Sequence, residues 1–91
     1  EKVLEQAVQD MQKDLTQVRQ AYAEVSASTK RMSEQSRVAE GEAQKWYQRA
    51  QLAIEKGEDD LAREALSRRQ QQVEMADSLK EQIAQQEGSI R

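Results

Sequence analysis

The sequence predicts an all-α chain folded as a long antiparallel two-helix coiled-coil hairpin, and three observations predict it. Apolar residues recur in alternating steps of four and three from Leu4 to Ala53, a second apolar stripe follows from Leu61, and Gly57 with three acids after it separates the two. Periodicity has to carry this reading, because at 36% hydrophobic and 34% charged the 91-residue chain is polar enough to raise the question of disorder.

The first arm takes Leu4, Val8, Met11, Leu15, Val18, Tyr22, Val25, Thr29, Met32, Ser36, Ala39, Ala43, Trp46, Ala50 and Ala53 onto one face. A repeat averaging 3.5 residues keeps a single seam against a partner helix. Its residues are large as far as Val25, polar at Thr29 and Ser36, and small from Ala39 onward except at Trp46, so a partner can approach closely near residue 50. Gly41 lies opposite the seam, where it costs about 1 kcal/mol of helix propensity without breaking the stripe. One helix is expected over residues 2–56.

The turn is expected over residues 57–60. Lys56 and Gly57 favour a helix C-terminus, one by charge and one by conformational freedom. Glu58, Asp59 and Asp60 place negative charge where the next helix presents its free amides. The second helix is expected over residues 60–88, with a looser band that includes Leu61, Ala62, Ala65, Leu66, Val73, Met75, Ala76, Leu79, Ile83 and Ile90, and with fraying from Gly88.

At 1.5 Å per residue the arms are roughly 84 and roughly 50 Å long. Folding about Gly57 brings Ala53 near Leu61, Trp46 near Arg68 and Arg69, Met32 near Ile83, and Val25 near Ile90. The expected hairpin core is Tyr22, Val25, Met32, Ala39, Ala43, Trp46, Ala50, Ala53, Leu61, Ala65, Met75, Leu79 and Ile83. The stripe Leu4, Val8, Met11, Leu15 and Val18 then has no intramolecular partner, and self-association through it is expected.

The chemistry is narrow. With no histidine or cysteine there is no Ser-His or Cys-His nucleophile and no thiolate metal site, and no glycine-rich loop cradles a phosphate. The chain reads as a non-enzyme without a metal or cofactor. Glu58, Asp59 and Asp60 fail the calcium-loop spacing, which needs acids on alternate positions around a central glycine. Acids and bases balance at nine each over residues 1–56 and at eight and five over 57–91, without the clustered basic footprint of a nucleic-acid binder. No apolar run is long enough to span a membrane. Trp46 reads as core, with Arg68 or Arg69 as a cation–π partner. Leu52 and Ile54, beside Leu61, Ala62 and Leu66, form an apolar tip that is either shared between the helices or a self-association patch.

The runs LEQAVQDMQKDLTQVRQAYAEV, KWYQRAQLAIEKG and EDDLAREALSRR, in this order and spacing, resemble the phage-shock protein A family, in particular its plastid and cyanobacterial branch of vesicle-inducing proteins. The resemblance covers essentially the whole chain. It implies an ESCRT-III-like, self-assembling scaffold that maintains and remodels membranes, peripheral at the thylakoid or inner envelope of a chloroplast or at a bacterial inner membrane, with this chain as its hairpin core. The alternative that the resemblance leaves is a regulatory coiled-coil module that binds and inhibits a transcriptional-activator ATPase. The family's tip motif, Glu-Asp-Leu-Ala-Arg, falls on Asp59, Asp60, Leu61, Ala62 and Arg63, with aspartate in its first position. By resemblance Leu61 and Ala62 give apolar contacts to a neighbouring subunit and Asp60 and Arg63 give charged ones, with Leu66 beside them. The family's membrane-inserting N-terminal helix and later helices are not among these residues, so lipid contact is expected through segments outside this chain. The expected partner is another copy of the protein, not nucleic acid.

Overall fold

The computed structural model describes residues 1–90, with side chains as far as Gly88. It contains two helices, α1 over Lys2–Glu55 and α2 over Asp59–Ile90, lying antiparallel in a body of 84 × 15 × 14 Å. The expected all-α hairpin is what the chain forms.

The reversal is tighter than the sequence suggested. Lys56 keeps right-handed dihedrals at the end of α1, and Gly57 follows at φ +73. The Glu58 amide then donates to the Ala53 carbonyl at 2.8 Å and the Gly57 amide to the Ile54 carbonyl at 3.0 Å. This pair of bonds is the Schellman closure, which satisfies carbonyls left open at a helix end and needs a left-handed residue at the position of Gly57. Because the closure uses only residues 56–58, Asp59 and Asp60 already belong to the first turn of α2, where the helix dipole favours them. α2 also runs through Gly88 to Ile90, since one glycine lowers helix propensity without ending a helix.

The seam is built from small residues. Among the described residues the buried positions are Ala39, Ala43, Ala50, Ala53, Ala62, Ala65 and Ala76, joined by Met32 and Ser36, and no large side chain among them is fully enclosed. Methyl-sized contributions, each on the order of 0.8 kcal/mol, hold this part together through the close approach they permit. Farther from the turn the seam becomes polar. The Thr29 hydroxyl donates to Gln86 Oε1 at 2.9 Å, Gln86 Nε2 donates to Ser28 Oγ at 3.3 Å, and Ser36 Oγ donates to the Ala76 carbonyl at 3.4 Å. Lys80 and Glu40 form an ion pair between the helices.

Three expected core residues lie outside it. Tyr22 is 59% exposed, because α2 reaches only the half-buried Val25, one turn away. Leu61 is 54% and Met75 51% exposed, whereas their neighbours Ala62 and Ala76 are 4% and 2% exposed. One residue rotates a helix position by about 100°, and alanines in the seam let the backbones close while larger side chains move to the flanks. Val25, Trp46, Leu79 and Ile83 are half-buried along the seam edges. The Val25 to Ile90 pairing involves a side chain outside those described.

Candidate functional site

Among the described residues, exposed apolar side chains gather at both ends of the closed seam, apart from Val38 and Met75 on its flank. The first is the overhang. From Glu1 to Glu24 every residue is exposed, and Leu4, Val8, Met11, Leu15, Val18 and Tyr22 form one stripe on it. The same periodicity that meets α2 farther along here meets solvent.

The second surface is the tip. Leu52, Ile54, Leu61 and Leu66 are all exposed, so the apolar tip is displayed rather than shared between the helices. Ala62 is the exception: it is 4% exposed and lies in the seam against α1. Asp59, Asp60 and Arg63 are exposed, and Arg63 Nη1 donates to Asp60 Oδ1 at 3.4 Å within the same helix. Between the arms lies an open groove of about 400 Å³ whose floor includes Trp46, Ala53 and Ala65 and whose rim includes Leu52 and Leu61. Arg49 of α1 and Glu64 of α2 line its walls, and Lys56 and Glu58 of the turn close its end.

Arginines bracket the aromatic pair. The Arg49 guanidinium lies 4.5 Å and that of Arg68 5.8 Å from the Trp46 ring centre, while Arg69 lies 5.2 Å from that of Tyr47. Of the two expected partners of Trp46, Arg68 is in place and Arg69 has taken the neighbouring ring. Arg49 was missed, although the three-residue spacing from Trp46 to Arg49 is a signal that puts two side chains together on a helix surface.

Among the described residues the perturbed groups belong to exposed pairs. A hydrogen bond from Arg37, reinforced by its charge, holds the Glu34 carboxyl below the usual carboxylate range and raises Arg37 in return. A hydrogen bond to Glu40, with its charge, raises Lys80. None of these groups faces an enclosed cavity, and among the described residues no cluster of acids is arranged to hold a metal ion. Nor is any helix among them long and apolar enough to cross a membrane.

A two-helix hairpin that displays apolar and charged side chains along its arms and tip has the form of a coiled-coil protein. The chain belongs to the PspA/IM30 family, whose model matches residues 1–91. It is 52% identical over 90 residues to the membrane-associated protein VIPP1, chloroplastic, of Oryza sativa subsp. japonica, an alignment covering 99% of this chain and 28% of that protein. Against the protein of the same description from Arabidopsis thaliana the identity is 49% over 90 residues, 99% of this chain and 27% of the relative. Against the membrane-associated protein Vipp1 of Synechocystis sp. it is 50% over 86 residues, 94% of this chain and 32% of the relative. The chain thus spans less than a third of the length of these relatives.

Proposed function

We propose that this chain is the hairpin core of a self-assembling scaffold that maintains and remodels membranes. The observation that carries the proposal is the placement of the large apolar residues. The overhang stripe and the tip leucines face outward, while the hairpin closes on alanines. Contiguous exposed apolar surface of this kind marks contact with another molecule, and copies of the same protein are the occupants the proposal assigns. The names of the relatives, all membrane-associated and either chloroplastic or cyanobacterial, support placing the protein peripherally at a plastid or bacterial membrane. Lipid contact in this reading comes from segments outside these 91 residues. The role is structural rather than enzymatic, in keeping with a chain that has neither histidine nor cysteine.

At the tip, Leu61 and Leu66 supply apolar contact and Asp59, Asp60 and Arg63 supply charged hydrogen bonds to a neighbouring subunit. The test uses the longer protein that contains this chain. Leu61→Glu and Arg63→Glu each abolish higher-order assemblies in electron micrographs, with helical circular dichroism within a few per cent of the parent. Normal assemblies in both variants would remove the tip from the account.

A further inference from the structure

Over much of its length the seam of α1 would accept a second copy of itself. Ala39, Ala43, Ala50 and Ala53 offer only methyl groups, and a row of methyls does not distinguish α2 from another α1. The turn at Gly57 keeps α2 close by, but it does not exclude another chain. What separates the two partners has to be polar, as a single polar position does in other coiled coils.

Such a position lies at one level of the seam. The Gln86 side chain of α2 uses both ends of its amide on α1: Oε1 accepts from the Thr29 hydroxyl at 2.9 Å and Nε2 donates to Ser28 Oγ at 3.3 Å. All three residues are half-buried. Thr29 stands on the same stripe as the apolar seam residues, between Val25 and Met32. Two turns on, the buried Ser36 makes a further bond to the Ala76 carbonyl of α2.

We propose that the layer of Ser28, Thr29 and Gln86 selects the partner of α1, admitting α2 and rejecting a second α1, whatever assembly the longer protein forms. The stripe of α1 from Leu4 to Ala53 contains no glutamine. A second α1 in the seam therefore brings an apolar side chain or another short hydroxyl against Ser28 and Thr29, and neither reaches both groups. Stranding polar groups in an interface costs more than their bonds are worth net. A layer of this kind lowers stability relative to an apolar one and gains specificity in exchange.

The experiment uses the 91-residue chain, which has no native cysteine. Ala39→Cys with Ala76→Cys places one thiol on each helix, at two seam positions that are both 2% exposed. In a glutathione buffer the disulfide between them reports how often α2 occupies the seam. In the chain with its layer intact, closure should be independent of protein concentration. Ser28→Ala, Thr29→Val and Gln86→Leu together remove the layer at nearly constant shape. The ratio of open to closed chains should then rise about tenfold along a concentration series, the weight of one to two hydrogen bonds, with a matching dimer in sedimentation equilibrium. Without the cysteines, the Tm of this triple variant should equal or exceed the parent's. Gln86→Leu alone, which strands both hydroxyls, should lower it. Closure as independent of concentration in the triple variant as in the parent overturns the proposal. So does a triple variant that opens with a lowered Tm, which would make the layer an ordinary stabilising contact. A Tm unchanged by Gln86→Leu alone overturns it as well, because the hydroxyls would then make no demand on the partner.

Discussion

The closed part of the hairpin and its overhang share one seven-residue repeat and use it in opposite ways. Between residues 32 and 76 the buried positions are alanines, one methionine and one serine, and the larger Val38, Leu52, Leu61 and Met75 are turned out. Between residues 4 and 22 the repeat holds only large residues, and all of them are exposed. Within this chain, therefore, the size of an apolar side chain runs against its burial. Small residues fill most of the buried seam, and the larger ones, Met32 apart, lie at its edges or in solvent.

The sharpest way to break the comparison is to enlarge the seam. Ala50→Leu or Ala76→Leu adds volume where the backbones already touch and should cost about 1 to 3 kcal/mol, read as a lower Tm. The matching change in the overhang, Leu15→Ala, should leave the Tm of a dilute sample unchanged and reduce association instead. Equal losses at Ala50 and Leu15 would erase the distinction between the two regions.

The turn comes next in size. Gly57 holds φ +73 with open space where a side chain would sit, so Gly57→Ala meets no neighbour and pays only for its backbone conformation. A loss of about 1 to 2 kcal/mol in denaturant unfolding is expected. A Tm equal to the parent's would mean that the Schellman closure is not what fixes the reversal.

Smaller effects sharpen the polar end of the seam. Ser36→Ala removes a long bond to a carbonyl that already serves the α2 ladder, so its unfolding midpoint should stay within about 0.5 kcal/mol of the parent. Smallest of all is the exposed Lys80 and Glu40 pair. Because Glu40 raises Lys80 above the ordinary value of 10.5, its contribution is complete below that value and is lost as pH rises through the raised one. Lys80→Met should lie slightly below the parent at neutral pH and lose the parent's slope in that alkaline window, so that the two profiles converge there; profiles that stay parallel through the window would assign the pair no such role.

Much of this was legible in the residues. The stripe from Leu4 to Ala53 gave α1 within one residue of its end, and Gly57 with its acids located the turn. The pairing of Trp46 with Arg68 followed from counting back from that turn. Leu61 and Met75 were misjudged because the second stripe was read by hydrophobic size, whereas packing of two closely approaching helices selects the smaller neighbour, Ala62 or Ala76. The same rule hid the fate of Ala62, expected at a subunit contact and found against α1. Tyr22 was placed in the core because its stripe is continuous with the buried one. The arm lengths put it at the margin of the paired region, and the first half-buried position of the stripe is Val25, one turn later. Family resemblance pointed to the tip, and its display of Leu61, Leu66 and Arg63 came only with the fold.

Hydrogen exchange followed by dilution tests the division most directly. In dilute solution, amides of 32–53 and 62–83 should be protected while those of 2–22 exchange rapidly, and raising the concentration should protect 2–22 without altering the seam. Protection of 2–22 equal to the seam's in dilute solution, or no gain at high concentration, would contradict the account.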